Sequence, residues 1–95
     1  MEVLILLDVK DLNKKEIFEA YIKKEGFLVI EGDEYVYGGS SSTTAMQTQA
    51  YILATFKEAL DFSEFSSCSM VFLLDETPYP SYLYNKSTKE FEVEK

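Results

Sequence analysis

The chain has no histidine, no arginine, no tryptophan and a single cysteine. Each absence closes a route to function. Without histidine it lacks the commonest general base and the commonest transition-metal ligand. Without arginine it lacks the planar fork that clamps a phosphate with two hydrogen bonds; its nine basic residues are all lysines. The lone thiol, Cys68, excludes an internal disulfide and a cysteine zinc site, and it fits a reducing, cytoplasmic compartment. It reads as a small buried hydrophobe beside a strand. Long apolar runs are missing too. The N-terminal MEVLILLDVK holds only five unbroken apolar residues after an acid at position 2. That is too short for a span of ~20 residues and has the wrong flank for a signal peptide, so no membrane association is expected.

What is present is an acidic, well-patterned chain. Its 95 residues and 46% hydrophobic content suit one globular domain with one modest core. Seventeen acidic residues against nine basic give a net charge of −8. Such a balance opposes the phosphate neutralisation on which nucleic-acid binding rests, and it favours basic partners.

The strongest local pattern runs from Tyr35 to Leu60. Tyr35, Val36 and Tyr37 favour an extended chain. Gly38-Gly39 then predicts a sharp turn, because glycine takes positive φ at no steric cost. Ser40, Ser41, Ser42, Thr43 and Thr44 follow, and any of the last three can cap the next helix. At about 100° per residue, Ala45, Met46, Ile52, Leu53, Phe56, Ala59 and Leu60 share one face of that helix. Thr48 and Thr55 fall on the other side. Gln49 interrupts the apolar face, so its amide either finds a backbone partner or points into a pocket. A glycine turn feeding a helix N-terminus is also where anions bind. Gly38, Gly39, Ser40–Thr44 and Gln49 are therefore the candidate ligand site, for a small anion, although no phosphate-loop or dinucleotide motif accompanies them.

The rest of the chain places around that helix. Val3–Val9 reads as a central strand, with Asp11 or Asn13 capping a helix on the stripe Ile17, Phe18, Tyr21 and Ile22. Gly26 stops it. Phe27–Glu31 is a second strand, turning at Gly32-Asp33 into the third, and Ser69–Leu74 is the fourth. The order β-α-β-β-α-β predicts an α+β, ferredoxin-like domain over residues 1–77. Its antiparallel sheet has the order 4-1-3-2, with both helices on one face. Residues 78–95 extend it as a C-terminal hairpin with Tyr82, Tyr84, Phe91 and Val93 on one side. The open face of the sheet then needs cover, which the hairpin, a second copy or both would supply. These four residues are the candidate interface of a homodimer or higher homo-oligomer.

Two strands end in the same triplet, Leu6-Leu7-Asp8 and Leu73-Leu74-Asp75. In the ferredoxin-like arrangement the two aspartates lie at opposite ends of the sheet, so they cannot share a metal. Residues 1–32 nevertheless carry a strand ending in Leu7-Asp8-Val9, a helix, Gly26, and Glu31-Gly32 closing a strand. This stretch resembles the small ferredoxin-like endoribonucleases associated with CRISPR adaptation and related toxin–antitoxin proteins. The resemblance implies that Asp8, paired across a dimer, binds Mg²⁺ or Mn²⁺ and cuts RNA. The chain departs from that family in lacking its basic surface.

Two readings follow. The first is a small acidic, non-catalytic regulator or inhibitor without a cofactor, contacting a protein partner or sequestering a small anion. A viral or mobile-element origin suits its composition. The second is a metal-dependent endoribonuclease using Asp8.

Overall fold

A computed structural model describes residues 1–94. Strand β1 (Glu2–Lys10) is its axis, paired antiparallel on one side with β3 (Val36–Ser40) and on the other with β4 (Ser67–Leu74). Helix α1 (Lys15–Lys24) and the two-residue β2 (Leu28–Val29) come between β1 and β3. Helix α2 (Ala45–Asp61) comes between β3 and β4. Three short strands follow: β5 (Thr77–Pro78), β6 (Tyr82–Asn85) and β7 (Glu90–Val93). The result is a seven-stranded antiparallel sheet in the order β2-β3-β1-β4-β6-β7, with β5 against the end of β4. No helix is long and apolar enough to cross a membrane among the described residues.

Side chains alternate across a strand, so the sheet has two faces. Val3, Ile5, Leu7 and Val9 of β1 and Cys68, Met70, Phe72 and Leu74 of β4 are buried, with Tyr37 of β3 beside Ile5. Both helices lie on this side. Phe18 of α1, Phe56 of α2 and Tyr37 meet ring to ring, with centroids 5.8–6.3 Å apart. The Tyr37 hydroxyl reaches Glu19 at 2.9 Å, and burial followed by that bond raises its pKa. Cys68 belongs to the same core. Burial, then the charge of Asp8, pushes its thiol up to about 12, leaving it neutral and unreactive.

Four local expectations need correction. Gly38-Gly39 is no turn but the middle of β3, with neither residue at positive φ. Both glycines have extended backbone, and each packs close to a neighbour. A Cβ on Gly38 would sit 3.0 Å from Ile30 Cδ1, and one on Gly39 would meet Gly26 O at 3.4 Å. Helix α2 buries Ile52, Phe56, Ala59 and Leu60 of its expected stripe, but the packed face is turned toward two threonines. Thr48 and Thr55 are buried, while Met46 is 81% exposed. The i, i+4, i+7, i+8 series Thr48, Ile52, Thr55, Phe56 forms the packed seam, and threonine methyls fit it.

Neither Asp11 nor Asn13 caps α1. Lys14 occupies the N-cap in a left-handed conformation with no side-chain bond, and Asp11 instead accepts from Ser66 Oγ at 2.6 Å. The far end of α1 closes as expected: Gly26, at φ 104°, donates to Lys23 O, and Phe27 N–H donates to Ile22 O.

The fourth correction concerns the C-terminal ribbon. β6 pairs with β4 at Ser69–Met70, and β7 pairs with β6. The ribbon therefore widens the sheet in its own plane and covers neither face. Tyr82, Tyr84 and Phe91 turn toward the helix side. Tyr84 is buried there, edge-on to Phe65 and Phe91, and its hydroxyl donates to the Asp61 carboxylate at the end of α2. Lys57 Nζ holds the same carboxylate at 2.9 Å.

Candidate functional site

The hydroxyl run is assembled by the junction of β3 and α2. Thr44 is the N-cap, accepting from Gln47 N–H at 3.1 Å. Ser41, Thr43 and Thr48 form a triangle of hydroxyls at 2.6, 3.0 and 3.1 Å. Thr48 is buried, and a buried hydroxyl left unbonded is costly. Each member of the triangle can donate once and accept, so these three hydroxyls satisfy one another.

Beside the triangle lies a pocket of about 350 Å³, lined by Gly39, Ser40–Thr43 and Thr48 on one side and by Gly26, Phe27, Tyr51 and Ile52 on the other. Phe27 and Tyr51 stack with centroids 6.0 Å apart, and the Tyr51 hydroxyl donates to Glu25 O at 2.7 Å. Of the sequence-derived ligand residues, Gly39 and Ser40–Thr43 line this pocket, whereas Gly38, Thr44 and Gln49 do not. Gln49 is half-buried on α2, and Gly38 belongs to the opposite face of the sheet. Glu25 lines the pocket and no lysine does. The lining charge therefore does not favour an anion.

The second region is the face of the sheet turned away from the helices. Leu4 and Leu6 of β1 are 37% and 42% exposed, in register with Leu73 and Val71 of β4 and with Gly38 and Val36 of β3. Leu28 and Ile30 continue the surface at one margin and Leu83 at the other. Because Gly38 has no side chain, a groove of about 350 Å³ opens between Leu4, Ile30 and Leu73. Glu2 and Glu76 also line it. Around the same face are Asp8, Glu90 and Glu92, with Lys10 as the cation on β1. The face is thus an apolar patch with a charged rim.

Asp8 is on this face. It is exposed, in register with Ser69, and lies 3.5 Å from Lys10 Nζ. Asp75 sits at the other end of the β1–β4 ladder, accepting from Glu2 N–H at 2.8 Å. Among the described residues no three carboxylate, cysteine or histidine side chains gather at metal-binding distance. Of the four sequence-derived interface residues, Tyr84 is buried in the chain's own core and Tyr82 and Phe91 are half-buried. Val93 is 51% exposed.

Residue-type motifs missed Leu28, Ile30, Leu73, Leu83 and Glu76. A signal was available in β1: an apolar residue at every position from Val3 to Leu7 supplies both faces of the sheet, and the two helices can cover only one. No protein-family model matches the chain, and neither a curated protein nor a solved structure matches it significantly.

Proposed function

We propose that the chain is a small acidic binding protein that engages a basic protein partner through the open face of its sheet. The observation that carries this is the groove over Gly38, lined by apolar Leu4, Ile30 and Leu73 together with the acidic Glu2 and Glu76. Such a site fits an aliphatic stem that ends in a cation, which is a lysine or arginine of the partner. The surrounding leucines and valines supply the apolar contact. The acidic rim, on a chain of net charge −8, steers a basic partner and repels an acidic one. The pairing order β2-β3-β1-β4, with a helix after β1 and another after β3, supports reading the scaffold as a ferredoxin-like domain extended by a C-terminal hairpin. On that reading the function is regulatory or inhibitory and non-catalytic, and the hydroxyl triangle is structural.

The test is affinity capture from cells that make the protein, comparing variants of equal stability. Wild type and Ala54→Glu, on the exposed side of α2, should retain the same basic protein. Leu4→Glu and Glu76→Lys should each lose it. Retention by both open-face variants refutes the reading.

A further inference from the structure

The two edges of the sheet are built differently, and we infer that the β2 edge is where a second copy of this chain adds to the sheet. At the opposite edge, β7 carries Glu90 and Glu92, with Glu94 following, a row of like charge that discourages strand addition. β2 has no such guard. Leu28 and Val29 of β2 and Ile30 just after it are 58%, 43% and 36% exposed, three successive aliphatic side chains along the outer edge.

Backbone geometry specifies the register. Residues of an antiparallel pair alternate between facing their partner with both N–H and C=O and turning both away. Ile30 N–H donates to Val36 O at 3.0 Å, so Ile30 and Leu28 are the inward-facing pair members. Val29, between them, directs its N–H and C=O to the free edge. An isologous antiparallel pair centred on Val29 satisfies both groups by exchange with Val29 of the second copy. The same register sets Leu28 beside Ile30 of the other copy, twice, on the open face. Those exposed side chains then become cross-strand apolar pairs.

Charge agrees with this orientation. Lys23 and Lys24 end α1 just before β2, and Glu31 and Asp33 follow it. None of the four has an ion-pair partner within 4.0 Å among the described residues. Antiparallel addition brings the start of one β2, where Lys23 and Lys24 outweigh Glu25, toward the acidic end of the other. Within a parallel pair like would face like. The dimer joins two open faces into one continuous surface, but it does not depend on what docks there. β1 lies two strands in from this edge, so the two Asp8 residues are separated by five strand spacings, roughly 24 Å. They do not form a pair at this interface.

Sedimentation velocity of the full chain across a concentration series tests the inference, with far-UV circular dichroism to check folding. The wild type should be a dimer. Val29→Pro removes an N–H that makes no bond within the chain, so the fold should survive. Losing both exchanged bonds should weaken dimerisation by roughly a hundredfold. Lys24→Glu should also weaken the dimer, and adding Asp33→Lys should restore it. Leu6→Glu should leave it intact, which separates this inference from the partner reading. A monomeric wild type, a folded Val29→Pro chain that still dimerises, or dissociation by Leu6→Glu would each overturn it.

Discussion

Ile5 and Leu6 are chain neighbours of nearly identical chemistry, yet Ile5 is fully buried and Leu6 is 42% exposed. The same contrast repeats along the sheet, between Phe72 and Leu73 and between Tyr37 and Val36. One face is packed by two helices and defines the fold. The other has apolar composition without apolar cover. Stability does not require that composition, since an antiparallel sheet can carry polar residues on a solvated side. The difference separates side chains that folding uses from apolar side chains that folding leaves exposed, and on the proposed function the second set makes the contact.

The largest expected effect separates the two faces directly. Ile5→Ala should destabilise the chain by about 2–5 kcal/mol, through lost burial and a residual cavity. Leu6→Ala should cost no more than about 0.5 kcal/mol, as for other surface changes. Urea unfolding of both variants at low protein concentration measures the gap. Equal losses would mean that something covers the open face in solution and would break the comparison.

A smaller effect lies where the ribbon is fixed to the helix side. Burial alone would raise the Asp61 pKa. The hydrogen bonds from Tyr84 and Lys57 outweigh burial and hold it below the usual carboxylate range. A depressed folded-state pKa contributes stability that is present above the unfolded value and lost as pH falls through the folded one. Tyr84→Phe should thus cost about 1.5 kcal/mol at neutral pH. Its deficit relative to wild type should shrink in acid, as Asp61 protonates in both proteins. A deficit constant with pH would show that the hydroxyl acts other than through the carboxylate.

Thr44→Ala removes the α2 cap and should cost about 1 kcal/mol, read by thermal unfolding. The smallest effect has opposite signs for stability and binding. Asp75 and Glu76 form the β4–β5 turn with φ of 48° and 69°, where a Cβ is strained. Glu76→Gly should stabilise the chain by about 0.5 kcal/mol while weakening partner capture, because it deletes a groove carboxylate. If stability falls instead, the turn is held by a contact of the Glu76 side chain.

The α+β character and the antiparallel sheet were legible because hydrophobic period and helix stops are local signals. Gly26 could be read as a stop because a C-terminal glycine after lysines has one common meaning. Gly38-Gly39 could not, because a glycine pair marks either a turn or a close approach. Only pairing with β1, distant in sequence, decides which. The rotation of α2 onto Thr48 and Thr55 was hidden for a similar reason. Threonine is polar by composition, but its methyl packs once Ser41 and Thr43 satisfy the Thr48 hydroxyl. The need for cover on the second face was legible from the placing of both helices on one side. That the ribbon fails to provide it depends on the β4–β6 register, which no motif encodes.

On the proposed function the open face makes the contact and the helix side does not. Site-specific photo-crosslinking in producing cells tests it most directly, with the photoreactive residue at position 6 or, for comparison, at position 54 on the outer side of α2. The account predicts a crosslink from position 6 to one basic protein and none to it from position 54. Crosslinks to the same protein from position 54 alone, or no crosslink from position 6, would contradict it.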